Sequence, residues 1–121
     1  MQLSKGSCHC GAIHFSFVSE PVTKGVRCNC SFCSKRGTLL HVASPGSQFQ
    51  WAAEEGALGL YQFAPPPPPK KAKHYFCRNC GVHRFGETTR RPGCHIVNLG
   101  CIEGVDAFAL ETISFDGKVL L

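Results

Sequence analysis

Apolar and polar residues alternate through GAIHFSFV, where Ile13, Phe15 and Phe17 are set against His14 and Ser16. A period of two predicts a strand with one buried face, because successive side chains of an extended chain point to opposite sides. The stretches 76–85 and HIVNLG at 95–100 also read as extended. In TISFDGKVLL, Ile113 and Phe115 precede Asp116-Gly117, and Val119 and Leu121 follow it, which predicts a hairpin with a tight primed turn. WAAEEGALGLY at 51–61 is the best helical window, and Gly56 and Gly59 weaken it. The pattern predicts a mainly β chain.

One segment breaks the pattern. In FAPPPPPKKAKHYF the prolines from Pro65 to Pro69 must be extended, as a polyproline II rod of about 3.1 Å per residue. It reads as an exposed connection between two strands, with docking to a Pro-binding domain as the alternative. Cysteines on both sides of it belong together in the reading below, so no boundary falls there and residues 1–121 are expected to form one domain. A chain of 121 residues is of single-domain size. At that length folding removes roughly two thirds of the surface the unfolded chain exposes, enough for one modest core.

No apolar run approaches the roughly 20 residues that a membrane span needs, and MQLSKGSCHCGA holds no hydrophobic stretch of the kind that directs secretion. The expectation is a soluble intracellular, cytoplasmic protein with no membrane partner. The formal charge of +5 counts every cysteine as neutral. Seven thiolates on two divalent ions would add seven negative and four positive charges and leave the chain only slightly basic. The clusters Lys70, Lys71, Lys73 and Arg84, Arg90, Arg91 read as solvated surface, and nucleic-acid binding is not predicted.

Cysteine usage carries the chemistry. The nine cysteines fall largely into three short motifs: Cys8-His9-Cys10, Cys28-x-Cys30-x-x-Cys33 and Cys77-x-x-Cys80. Cysteines one or two residues apart are awkward disulfide partners and good joint metal ligands. C-x-x-C supplies half of a zinc knuckle, and the economical completion joins Cys77 and Cys80 to Cys8 and Cys10 in a four-sulfur site. Cys28, Cys30 and Cys33 are then three ligands without a fourth. Three protein ligands and one exchangeable position characterise a catalytic zinc. Two alternatives stand beside that reading. A fourth ligand from Cys94, Cys101, His9, His14, His41, His74, His83 or His95 would close a second structural site, or the trio would hold no metal. Cys94 and Cys101 otherwise read as small buried apolar residues, and His14 as a surface histidine.

The ordered motifs GSCHCGAIHF, CNCSFCSKRG, KHYFCRNCGVHRF and VNLGCIEG resemble those of the glutathione-dependent formaldehyde-activating enzyme family, to which centromere protein V also belongs. The resemblance implies a β-tent of several short twisted antiparallel sheets organised around zinc. It implies a structural zinc on Cys8, Cys10, Cys77 and Cys80 and a catalytic zinc on Cys28, Cys30 and Cys33. The implied activity is that of a carbon–sulfur lyase run in the synthetic direction, an S-hydroxymethylglutathione synthase joining a small thiol to an aldehyde. Asn98, in the motif VNLGC, is expected to line the catalytic site. Asn29, Ser31 and Lys35 are candidate donors to the developing alkoxide, and Arg36 is a candidate for a substrate carboxylate. The competing reading is a non-catalytic, zinc-stabilised binding module related to centromere protein V. A third is a redox or metal-delivery protein in which the trio cycles between bound and oxidised states. The sequence does not fix the oligomeric state.

Overall fold

The computed structural model describes residues 1–64 and 71–117. Ten strands in two sheets account for nearly half of them. β1 (Gln2–Ser7), β2 (Ile13–Ser19) and β5 (Gln50–Ala53) form a three-stranded antiparallel sheet in the order β1-β2-β5. The larger sheet runs β10-β3-β4-β9-β8-β7-β6 and contains β3 (Lys24–Cys28), β4 (Leu40–Ala43), β6 (Leu58–Phe63), β7 (Ala72–Cys77), β8 (His83–Thr88), β9 (His95–Asn98) and β10 (Glu111–Phe115). A short helix, α1 (Ser31–Arg36), and a 3-10 turn (Leu99–Cys101) complete the described elements. The architecture is the mainly β, multi-sheet arrangement of a β-tent.

β2 behaves as its alternation predicts: Ile13, Phe15 and Phe17 are buried while His14 faces solvent. These side chains feed two cores. Phe15 and Phe17 pack with Ala43, Phe85, Val97, Leu99 and Ile102 between the sheets, and Phe49 caps Phe85 edge-on at 5.0 Å. Ile13 belongs to a smaller core whose other buried members are Cys8, Ala12, Ala57 and Cys77. With so little hydrocarbon, that second core needs another source of cohesion.

Three expectations are corrected. The helical window at 51–61 is two strands, β5 and the start of β6, joined by a turn in which Ala57 N–H donates to the Glu54 carbonyl and Gly56 takes a φ of 75°. Glycine reaches that left-handed conformation without a Cβ clash, so the residues that weakened the helix specify the turn. β10 pairs in parallel with β3, Phe115 opposite Cys28; Val119 and Leu121, the second strand of the expected hairpin, lie outside the described residues. The sheets are therefore not wholly antiparallel. Arg84 is not surface: it is fully buried on β8. The proline run 65–69 and Lys70 lie outside the described residues. Among the described residues no helix is long and apolar enough to cross a membrane.

Gly25 shows how tightly the chain is packed where β3 approaches the middle cysteine motif. A Cβ there would collide with the side chains of Leu39 and Leu99, meeting Leu99 Cδ1 at 2.7 Å. Gly25→Ala is expected to cost about 1–3 kcal/mol through overpacking, read as a lower urea midpoint with unchanged slope; an unchanged midpoint would mean that the leucines move aside freely.

Candidate metal centres

Two turns build the first centre. Cys8 and Cys10 sit between β1 and β2, where Cys8 N–H donates to the Ile13 carbonyl (3.2 Å) and Gly11 turns the chain with a φ of 82°. Cys77 ends β7 and Cys80 lies in the turn to β8, where Gly81 plays the same part with a φ of 79° and donates to the Cys77 carbonyl (2.8 Å). The backbone N–H groups of Asn79 and Cys80 both point at Cys77 Sγ, at 3.4 Å each. Amides aimed at sulfur suit a thiolate acceptor. The four Sγ atoms lie within 4.8 Å of one another, and the pairs Cys8–Cys10 and Cys10–Cys77 are 3.6 Å apart. Sulfurs at tetrahedral corners about 2.3 Å from a zinc are about 3.8 Å apart, so the donor set fits that ion. All the cysteines are free thiols. Hydrogen bonds from the Val82 and Cys10 N–H groups pull the Cys80 thiol down to about 6, and Cys10 is lowered chiefly by Asn79.

The second centre forms where β3 runs into α1. Cys28 ends the strand, Cys30 caps the helix and Cys33 lies one turn in; Cys30 N–H approaches Cys28 Sγ at 3.5 Å and Cys33 N–H approaches Cys30 Sγ at 3.3 Å. Gly37, with a φ of 70°, ends the helix and donates to the Cys33 carbonyl. The three sulfurs again lie within 4.8 Å of one another. Burial pushes the Cys33 thiol up to about 12, with the Arg36 charge working against it, and burial also raises Cys28. A bound cation inverts that preference, since coordination deprotonates a thiol outright.

Among the described residues no further His, Cys, Asp or Glu joins the trio. The alternatives for a fourth ligand are placed elsewhere. Cys101 Sγ faces the His83 carbonyl at 3.7 Å, His41 stacks on Phe17, His95 stacks on Phe49 beside Glu87, and His9 and His14 are exposed. His74 and His83 come near, but Arg36 stands between. Its Nη2 donates to Cys33 Sγ (3.4 Å), while Nη1 contacts His83 Nε2 (2.8 Å) and His74 Nδ1 (3.5 Å). A guanidinium only donates, so it selects the tautomers: the proton of His83 sits on Nδ1 and that of His74 on Nε2. Burial and then the Arg36 charge hold His83 down at about 2 and His74 at about 4, so both rings stay neutral.

Phe32, between the cysteines of α1, stacks on His74 at 3.8 Å and on Tyr61 at 5.6 Å. Beside this stack lies an open cavity of about 460 Å³ lined by Phe32, Lys35, Arg36 and Tyr61. Arg36 thus touches both a ligand sulfur and the cavity. Of the other candidates, Ser31 and Lys35 are exposed on α1, and the Asn29 amide donates to Asp116 Oδ1 at 3.1 Å. Asn98 is buried; its Nδ2 donates to the His83 carbonyl (2.8 Å) and its Oδ1 accepts from Gly100 N–H (3.0 Å). Both ends of its amide are committed to backbone, one of them to the His83 segment.

The sequence offered His74 and His83 only as two of eight possible fourth ligands and did not single them out as the histidines beside the trio. Their signal is the symmetric run H-x-x-C-x-x-C-x-x-H over 74–83. An odd spacing along a strand places His74 on the opposite face of β7 from Cys77, away from the first centre and toward the second.

The family model for the glutathione-dependent formaldehyde-activating enzyme matches residues 3–115. A crystal structure of a Rhodobacter sphaeroides protein is similar, with 31% sequence identity and a TM-score of 0.72, over 90% of this chain and 99% of that one.

Proposed function

The chain belongs to the glutathione-dependent formaldehyde-activating enzyme family, and from that premise we propose a zinc-dependent carbon–sulfur lyase that joins a small thiol to an aldehyde. The observation that carries the proposal is the open trio: Cys28, Cys30 and Cys33 converge without a fourth protein ligand among the described residues, next to the cavity over α1. In this reading the Cys8, Cys10, Cys77 and Cys80 centre is structural and the trio catalytic. A zinc on the trio would supply one exchangeable position that keeps an incoming thiol deprotonated near neutral pH.

The chain's own residues do the rest. In this reading Phe32 and Tyr61 wall the cavity on one side of the reacting pair, and Lys35, which also lines it, donates to the developing alkoxide. One carbon–sulfur bond forms between the thiol sulfur and the carbonyl carbon. The carbonyl π pair becomes a lone pair on oxygen, which takes up a proton equivalent to the one the thiol gave up. The product is a hemithioacetal, and proximity supplies much of the gain, since an oriented pair reacts with a far higher effective concentration than free reactants. Asn98 acts as a positioning residue by fixing the His83 carbonyl, and so the ring that meets Arg36.

Native mass spectrometry before and after addition of glutathione tests the reading. Two zinc ions and a thiol adduct that disappears in Cys28→Ser are expected. Two zinc ions without an adduct would replace the enzyme by the zinc-stabilised binding module.

A further inference from the structure

Arg84 has no place in the chemistry above, yet it is the largest of the fully buried side chains. It lies at an irregularity in the sheet: Tyr75 pairs with Phe85 while Phe76 pairs with His83, so Arg84 is an extra residue on β8 without an opposite number. A bulge of this kind re-aims a side chain, and Arg84, Phe85 and Gly86 are consecutively buried where strict alternation would expose one of them. Within the protein its guanidinium is poorly satisfied. Nη1 donates to the Val82 carbonyl at 3.1 Å, but Nε and Nη2 are buried without a hydrogen-bond partner. A buried cation is strongly unfavourable unless an anion lies close by.

The Val82 carbonyl that Arg84 Nη1 meets also accepts from the Cys77 N–H at 3.0 Å, so the guanidinium sits against the ligand turn itself. Burial lowers the Arg84 pKa, and the groups that work against burial are Cys8, Cys77, Cys101 and Cys80, with no carboxylate among them. Cys101 points its sulfur at the His83 carbonyl, an arrangement that requires a thiol proton to donate, so it is not the anion. The other three belong to the four-cysteine centre. Four thiolates around one divalent cation leave two net negative charges, and this centre holds them against an apolar core of Ala12, Ile13 and Ala57. Arg84, whose guanidinium carbon also lies 5.7 Å from the Phe85 ring centroid but which meets no anionic side chain in a salt bridge among the described residues, shares the interior with the buried Cys8 and Cys77 of that centre.

We propose that Arg84 is the buried counter-charge of the Cys8, Cys10, Cys77 and Cys80 centre, offsetting its double negative charge and thereby setting how tightly, and down to what pH, that centre keeps its metal. The proposal rests on the reading of those cysteines as a zinc site. Arg84 is a positioning and tuning residue in this role and touches no substrate.

Zinc-loaded wild type, Arg84→Met and Arg84→Lys are titrated with acid. Zinc is counted by native mass spectrometry, and alkylation of individual cysteines, mapped by peptide mass, reports which centre has opened. Arg84→Met keeps the length and removes the charge; it is expected to bind zinc at the four-cysteine centre roughly 10–100-fold more weakly, opening Cys10 and Cys80 at higher pH than wild type while Cys28 and Cys33 stay protected. Arg84→Lys is expected to stay close to wild type. Release at the wild-type pH in Arg84→Met, or equal weakening in both variants, would overturn the proposal, the second result assigning Arg84 to packing. If Arg84→Met does not fold, Arg84→Lys decides: retention of wild-type zinc supports the counter-charge, and equal failure refutes it. A wild-type protein without zinc on Cys8, Cys10, Cys77 and Cys80 would instead bring down the metal reading beneath the proposal.

Discussion

Cys77→Ser is expected to leave the chain unfolded, whereas Cys28→Ser is expected to keep the fold and lose the thiol adduct. Cys77 is fully buried, accepts N–H hydrogen bonds from Asn79 and Cys80, and lies 3.6 Å from Cys10 across 67 residues of sequence. It ties the β7–β8 turn to the β1–β2 turn inside a core in which Ile13 is the only large aliphatic residue among the buried members. A structural zinc contributes on the order of 10 kcal/mol to folding, against a total stability of about 5–15 kcal/mol for a typical domain. Loss of one ligand therefore removes most of the margin. Cys28 is only half-buried at the end of β3, and its centre adjoins an open cavity instead of tying distant turns together. Circular dichroism with thermal melting, together with the zinc count, separates the two variants. Equal loss of structure in both would contradict the assignment of separate structural and catalytic roles.

The parts of this protein legible in its sequence are those governed by local spacing. Alternation in β2 and the grouping of cysteines need only a few neighbouring residues to be read, and both groups assemble in space as the spacing implies. What escaped depends on distant partners. α1 has six residues, too few for a helical period to emerge, and it is nucleated by a cysteine cap and a left-handed glycine. The residues 51–61 have helix-compatible composition, but Phe76 packs directly on Gly59, which leaves room for a strand pair there and none for a Cβ. Parallel pairing of β10 with β3 joins segments more than eighty residues apart, as Glu111 opposite Lys24 illustrates. Arg84 reads as one more surface cation until a bulge turns it inward.

Arg36→Met is expected to lower kcat for hemithioacetal formation roughly 10–100-fold while both zinc ions remain bound, the scale typical of removing a hydrogen bond just outside a metal's ligands. The sequence offered Arg36 as a clamp for a substrate carboxylate, and the two roles make different kinetic predictions. Its Nη2 is engaged by Cys33 Sγ and its Nη1 by His83 and His74, while Phe32 lies 5.0 Å beneath the guanidinium carbon. On the proposed reading a residue so committed acts on the thiolate: it draws charge from Cys33, which burial otherwise holds against ionisation, and makes room for a fourth negative sulfur beside three others. Loss of that interaction lowers kcat with glutathione and with a thiol lacking carboxylates alike. A carboxylate clamp would instead raise KM for glutathione, leave kcat near its original value and spare the simpler thiol. Arg36→Lys is expected to recover little, because one ammonium cannot reach the sulfur and two imidazoles at once in the guanidinium's planar geometry. Full activity in the lysine variant would show that a positive charge near Cys33 suffices and that the contacts to His74 and His83 are incidental to turnover.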